Sequence, residues 1–284
     1  LRTITYSDRS SILSVWTAEL GRMSLLLNNS AGRESRRRRA LTMPMSLFEG
    51  VVNVVPGREV CTVRDMKPAV VAPTVSGHPV KASVAMFMAE VLGLVLRDSG
   101  NHDEAAWAFL VDVVESLDAA GDSATVANFP LWFLYRLTVI LGVEPDMSTY
   151  MRGRVLNLRE GVFRQPLLVG GMRGEVTDSK GTFVTADASR MLSVLSRAGA
   201  GDLRRLRMTS VQRQRAIDVA LDYLSAHLTA LPRLKTLIEI RGCFWHHHGW
   251  TWDGRRLVQT EACAQATAPK SNRAFWNAKF TRNV

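Results

Sequence analysis

From Leu1 to about Pro68, apolar and polar residues alternate at period two in short runs. The runs are LRTITY, SILSVW, RMSLLL, FEGVVNVV and EVCTVRDM, and the turn-forming stretches SDRS, ELG, NNSAG and VPGR separate them. Alternation puts every second side chain on one face of a sheet, so five short strands predict a small β-barrel within residues 1–77. From Val80 the period becomes helical. VKASVAMFMAEVLGLVLRD, DEAAWAFLVDVVESLDAA and VANFPLWFLYRLTVILG return apolar residues at three and four, as core helices do. Asp122 and Ser123 are suited to cap the start of the third helix, and Gly142 to end it. The glycine-marked RVLNLREGVFRQPLLVGG predicts a short hairpin, after which TADASRMLSVLSRA and SVQRQRAIDVALDYLSAHL return to helix. The expected class is α+β: a barrel over 1–77, an all-helical domain over 78–240, and a tail of different character over 241–284. No internal repeat or low-complexity linker interrupts this order.

With 284 residues, 46% of them hydrophobic, the chain can bury real cores, and its length suits about two domains. No apolar run reaches the ~18 residues of a membrane span. Even FPLWFLYRLTVILGV is cut by Arg136. The opening lacks the charged-then-apolar pattern of a signal peptide, and Cys61, Cys243 and Cys263 are too few and scattered for a disulfide framework. A soluble, cytoplasmic protein is expected, with no membrane partner. Because the chain opens on Leu1 rather than Met and stops in FTRNV without a closing signal, further residues are expected at its ends.

Net charge is +10, which raises the question of a polyanionic partner. The excess is uneven. Residues 1–77 carry 11 Lys+Arg against 6 Asp+Glu, residues 78–240 carry 18 against 18, and residues 241–284 carry 7 against 2. The middle therefore reads as neutral scaffold between two basic ends. The sharpest basic feature is Arg36, Arg37, Arg38 and Arg39, expected in the loop after the third strand with Arg33 and Arg22 close by. Small barrels bind single strands along one face with help from their loops, and guanidinium groups there would neutralise phosphates without reading bases. The plain alternative is a solvated charge run. Met86, Met88, Trp107 and Trp132 are expected to fill the core, and Cys61 to act as a small buried hydrophobe. No nucleophile–base pair, phosphate loop or paired carboxylates stand out.

Several runs together resemble RecO, the bacterial recombination mediator: LRTITYSDRSSILSVWTAELGRMSLLL, PVKASVAMFMAEVLGLVLR, NFPLWFLYRLTVILGVEPD, LNLREGVF and HLTALPRLKTL, spanning residues 1 to about 238. The resemblance implies an oligonucleotide-binding (OB) barrel followed by a helical domain. It implies binding of single- and double-stranded DNA, annealing of complementary strands, and action with RecR and single-strand-binding protein to load RecA, in the nucleoid of a bacterial cytoplasm. No catalysis is implied. Many family members hold zinc through four cysteines in the hairpin after the third helix. VEPDMSTYMRGRVLNLREGVF has none, so no cofactor is expected in this part.

Beyond it stands RGCFWHHHGW, residues 241–250, and then CAQATAPKSNRAFWNAKFTRNV. These stretches resemble the very-short-patch mismatch endonuclease, Vsr, and imply a partial α/β nuclease fold over about 238–284. By motif position, Cys243, His248 and Cys263 match zinc ligands, an incomplete set. Phe244, Trp245 and Trp276 match aromatics that wedge into DNA, and His246 matches an active-site histidine. The chain departs from that pattern in four ways. GWTWDGRRLVQTEA is inserted between His248 and Cys263, position 241 is Arg241, AHLTALPRL holds no acid where a catalytic aspartate is due, and the later cysteine that is the family's fourth zinc ligand would lie beyond Val284. The expectation is a DNA-binding and annealing factor, the alternatives being a Vsr-type mismatch endonuclease or a fusion of the two genes. Three consecutive histidines are too few for an expression tag.

Overall fold

The computed structural model describes residues 1–28, 33–55, 57–96, 104–169, 172–176, 183–228, 234, 236, 250–252 and 257–259, with the backbone alone for 33–36, 167–169, 172–176, 183 and the last two segments. Five strands open the chain: β1 (Arg2–Ser7), β2 (Ser10–Thr17), β3 (Gly21–Asn28), β4 (Phe48–Asn53) and β5 (Val60–Pro68). They form one sheet in the order β1-β2-β3-β5-β4. Neighbours are antiparallel except β3 and β5, which run parallel with Leu25 opposite Cys61. No pairing of β4 with β1 closes a ring among the described residues, so the expected barrel is a five-stranded mixed sheet with two edges. Alternation does the sorting: Leu13, Val15, Leu25, Leu27 and Cys61 point into one core, with Met23, Phe48, Val52, Val63 and Met66 packed around them. Cys61 is a buried hydrophobe, as expected.

The β4–β5 pairing slips between Glu49 and Val51. Asp65, at φ 56°, takes the extra residue. Facing it, Gly50 leaves no room for a side chain, because a Cβ there would lie 2.9 Å from Val63 Cγ2. A bulge of this kind bends its strand and raises the local twist.

Between β3 and β4 lies α1 (Arg33–Leu41), and after β5 come α2 (Pro73–Gly77), α3 (Pro79–Val95), α4 (Glu104–Ala119) and α5 (Ser123–Ile140). α5 is buried on most of its surface, including Phe129, Leu131, Phe133, Leu134 and Leu137. Asp122 caps it, accepting from Thr125 N at 2.8 Å, and Gly142, at φ 68°, lets the chain leave it. Met88 is buried, but Met86 is 40% exposed. Two residues apart on a helix cannot share a face, so only one of these methionines reaches the core.

The glycine-marked segment does form a hairpin, β6 (Val155–Leu156) with β7 (Phe163–Arg164). It is held by side chains: Phe163 N donates to Thr149 Oγ1 at 2.9 Å, Leu156 N to Ser189 Oγ at 2.8 Å, and Tyr150 meets Phe163 edge-on. A three-stranded meander follows, β8 (Leu167–Val169), β9 (Met172–Val176) and β10 (Phe183–Thr185), then α6 (Ala186–Leu195), a 3-10 turn over Ala200–Arg205 and α7 (Ser210–His227). The middle segment is thus helical with small sheets inserted, rather than all-helical.

The chain divides into two units, Leu1–Pro232 and Arg233–Val284. In the second, the described elements are an antiparallel pair, β11 (Trp250–Trp252) and β12 (Leu257–Gln259). Cys243, Phe244, Trp245, His246, His248, Cys263 and Trp276 lie outside the described residues. No helix among the described residues is long and apolar enough to cross a membrane.

Candidate nucleic-acid interface

The arginine run is on a helix, not in a loop. RESRRRRAL contains no glycine, proline or β-branched residue, and arginine is a good helix former. The tail of the helix is anchored, since Leu41 and Met45 are buried. Thr42 turns the chain out, its N–H and hydroxyl both donating to Arg39 O at 3.2 and 3.1 Å. The Thr3 hydroxyl reaches Thr42 O at 3.5 Å and ties the turn to β1.

Helical geometry spreads four consecutive arginines around the axis, about 100° apart. They cannot form a comb on one face. Arg37 and Arg39 are exposed and Arg38 is half-buried. Arg38 and Arg39 border a cavity of about 220 Å³ with Thr3, Ser11, Leu27, Asn28 and Thr42, which sets them beside edge strand β1 and the paired start of β2 and end of β3, on the side of the sheet that Leu13 and Leu27 face. The side chains of Arg33 and Arg36 lie outside the described residues.

Arg22 is not with them. It sits at the start of β3, whereas Asn28, beside α1, ends that strand, roughly 20 Å away at a strand's rise per residue. Arg22 Nη1 instead donates to Gly93 O of α3 at 2.9 Å. At the same end Trp16 stacks on Trp107 of α4, with centroids 6.2 Å apart and planes inclined by 23°. Arg22 and Trp16 therefore join the sheet to the helices, a relationship that sequence distance concealed.

The sheet face turned away from the core carries a row that sequence reading missed. Ile4, Ile12, Leu26, Thr62 and Asn53 stand opposite one another across all five strands. Ile4 is 46% exposed, and Ile12 and Leu26 are half-buried. Near the end of β1 Tyr6 is 69% exposed, and Arg9 and Arg58, in the turns after β1 and β4, are exposed as well. Exposed aromatic and apolar groups on a strand-forming, turn-bounded segment were the available signal. Such a surface offers stacking and apolar contact at its centre and cations at its rim.

Comparison with known proteins bears on what this arrangement serves. Residues 77–237 match the family model described as recombination protein O C terminal. The chain belongs to the RecO family. It is 27% identical over 244 residues to the DNA repair protein RecO of Phocaeicola vulgatus, covering 86% of this chain and 96% of that one. With the RecO of Porphyromonas gingivalis it shares 28% over 245 residues, 83% and 93% of the two chains, and with that of Bacteroides fragilis 24% over 244 residues, 86% and 96%. The RecO-type chain is thus a DNA repair and recombination mediator, not an enzyme. The RecO model match ends at residue 237, before the GCFWHHH motif.

Proposed function

We propose that the five-stranded sheet is an OB barrel left open between β1 and β4, that it binds single- and double-stranded DNA and anneals complementary strands, and that RecR and single-strand-binding protein are its partners in loading RecA. The setting is the bacterial cytoplasm, at the nucleoid. In five-stranded OB barrels the face of the second and third strands and the loops beside it hold the nucleic acid. Here that face carries Ile12 and Leu26, and the flanking turns carry Arg9 and Arg58.

Annealing asks for a grip on phosphates that leaves base edges free to pair. Guanidinium groups supply that grip without sequence preference, and Tyr6 and Ile4 offer faces on which any base can rest. The observation that carries the reading is the row of Ile4, Ile12 and Leu26, with Tyr6 nearby, on the sheet face turned away from the core, with Arg9 and Arg58 in the turns at its rim. Arg38 and Arg39 add cations at the edge of the sheet beside Thr3, Ser11 and Asn28. The GCFWHHH segment has no part in this activity, and no metal is needed for it.

The test is strand annealing by the full chain, followed by energy transfer between labelled complementary oligonucleotides in the presence of a metal chelator. Annealing well above the spontaneous rate is expected. A rate equal to the spontaneous one, or one abolished by the chelator, rejects the proposal.

A further inference from the structure

The neutrality of residues 78–240 is an average over uneven parts. Residues 190–215 hold seven arginines against one acid, Asp202, so the rest of the segment is acidic by the same margin. Arg197, Arg204, Arg205 and Arg207 are exposed or half-exposed, as are Arg190 and Arg215 on the helices to either side. Among the described residues only Arg205 of these has a carboxylate partner, Asp202 Oδ1 at 3.5 Å.

A charge run is ordinarily a solvated surface with no fixed shape. This one is fastened from beneath. Trp132 Nε1 donates to Ala198 O at 2.9 Å. Asn128, only 1% exposed, donates through Nδ2 to Leu203 O at 3.0 Å and Leu206 O at 2.8 Å. Arg213 Nε donates to Asn128 Oδ1 at 2.9 Å, and its Nη2 to Met208 O at 3.3 Å. Leu203 is fully buried between these anchors. A buried amide and a partly buried guanidinium are costly to take from water unless fully bonded. Three such groups, all on α5 and α7, fix the backbone from which the arginines project.

We propose that this arginine loop, residues 197–207, is a second phosphate-binding face, on the helical body, that takes the backbone of a second nucleic-acid strand. It rests on the reading that the sheet and α1 hold the first strand. A polyanionic backbone suits it better than an acidic protein segment. Protein partners anchor on large apolar side chains in pockets, and in this stretch Val211 is the one large hydrophobic exposed among the described residues. Two strands on one molecule meet at the high effective concentration of a tethered pair, which is what annealing requires.

The full chain is loaded with donor-labelled oligothymidine and titrated with acceptor-labelled oligothymidine, so that energy transfer reports two strands held together. A parallel titration uses an acceptor-labelled duplex, to tell a single strand from a double one as the second ligand. In R197Q/R204Q/R205Q/R207Q, binding of the second strand should weaken at least tenfold, as expected when several phosphates are no longer neutralised, and its salt dependence should flatten by about 0.7 log units for each of them. The first strand should bind within about twofold of the parent. Lysines at the same four positions should restore most of the second-strand affinity, because a point charge suffices for a phosphate. If the fourfold variant loses its melting transition, R204Q/R207Q is read in its place, with a loss of about fivefold expected. Unchanged second-strand binding in a folded glutamine variant overturns the proposal. So does loss of binding to an acidic decapeptide with DNA co-binding intact, which would make the loop a protein-docking site. Failure of the first-strand reading shows separately, as unaltered first-strand binding when Arg36 to Arg39 are replaced.

Discussion

The Asp118 carboxylate, at the end of α4, accepts the N–H and the hydroxyl of Thr74 at 2.7 and 2.8 Å, across 44 residues of sequence. Val75 N adds a third bond at 3.1 Å, so one side chain caps the start of α2 from another helix. Lys81 of α3 completes the knot, its Nζ donating to Thr74 Oγ1 and to Asp118 O, each at 2.7 Å. An acid at a helix C-terminus is unfavourable by itself. Here it is balanced by the N-terminus of α2 and by Lys81.

Removing that carboxylate strands the N–H groups of Thr74 and Val75 and takes away the charge near Lys81, whose own bonds to Thr74 Oγ1 and Asp118 O remain. Asp118→Ala should lower stability by about 0.5–2 kcal/mol, as loss of a helix cap does where water can reach the freed donors, or roughly 2–4 °C of melting temperature for each kcal/mol in a body of this size. Asp118→Asn, whose amide oxygen still accepts, should lose less. A calorimetric scan with an unmoved Asp118→Ala midpoint would show that the knot is ornamental.

Acid should act on the same group. Burial, the largest single influence on Asp118, pushes its pKa up, but the bonds from Thr74 and Val75 and the charge of Lys81 outweigh it and hold the carboxyl below its ordinary value. A folded pKa below the unfolded one contributes stability that is complete above the unfolded value and lost as pH falls through the folded one. Asp122, held low by its bonds from Thr125, follows the same sign. Urea midpoints should be level from neutral pH down to about 5 and then fall, more steeply in the parent than in Asp118→Asn. Parallel curves would mean Asp118 titrates alike in both states.

The helix that carries the arginines sets a limit on their effect. Replacing Arg36 to Arg39 by glutamine should weaken binding to every single-stranded sequence alike and reduce the salt slope by about 0.7 for each phosphate left without its cation. Because the four cannot face one strand together, a decrease equivalent to one or two phosphates is expected rather than four. Fluorescence anisotropy over a salt series measures it, and an unaltered slope would leave the run as mere solvated surface.

Removing residues 241–284 should leave a folded protein that still binds and anneals DNA. The family match is complete by residue 237, and the first unit ends at Pro232. Aggregation of the shortened chain, or loss of annealing, would make the tail integral.

The tail itself should not cut DNA. Aromatic wedges, were Phe244, Trp245 and Trp276 to act as such, could kink a duplex but break no phosphodiester, and AHLTALPRL holds no carboxylate for magnesium at the place where the resemblance to Vsr would put one. A T:G mismatch duplex incubated with the protein and magnesium should stay intact on a denaturing gel, and a mild chelator should leave annealing unchanged. A magnesium-dependent nick that disappears in His246→Ala would reverse this.

What the amino-acid sequence determined by itself is what neighbouring residues decide among themselves. Alternation places Leu13 and Val15 on one face of β2, and the helical period and the Asp122 cap delimit α5, because both depend on side chains a few positions apart. The long resemblance to RecO was legible for the same reason, being carried by contiguous runs. Only the tertiary structure decided what depends on distant partners. It paired β3 with β5 in parallel, separated Arg22 from Arg38 along a strand, and drew Asn128, Leu203 and Arg213 into one clamp. It also turned the arginine run into a helix, since the anchors that stop its fraying, Leu41 and Met45, matter only once a sheet lies beneath them. Charge by segment misled where a net of zero concealed a local excess, because a potential is set by which side chains share a surface and not by which share a stretch of chain.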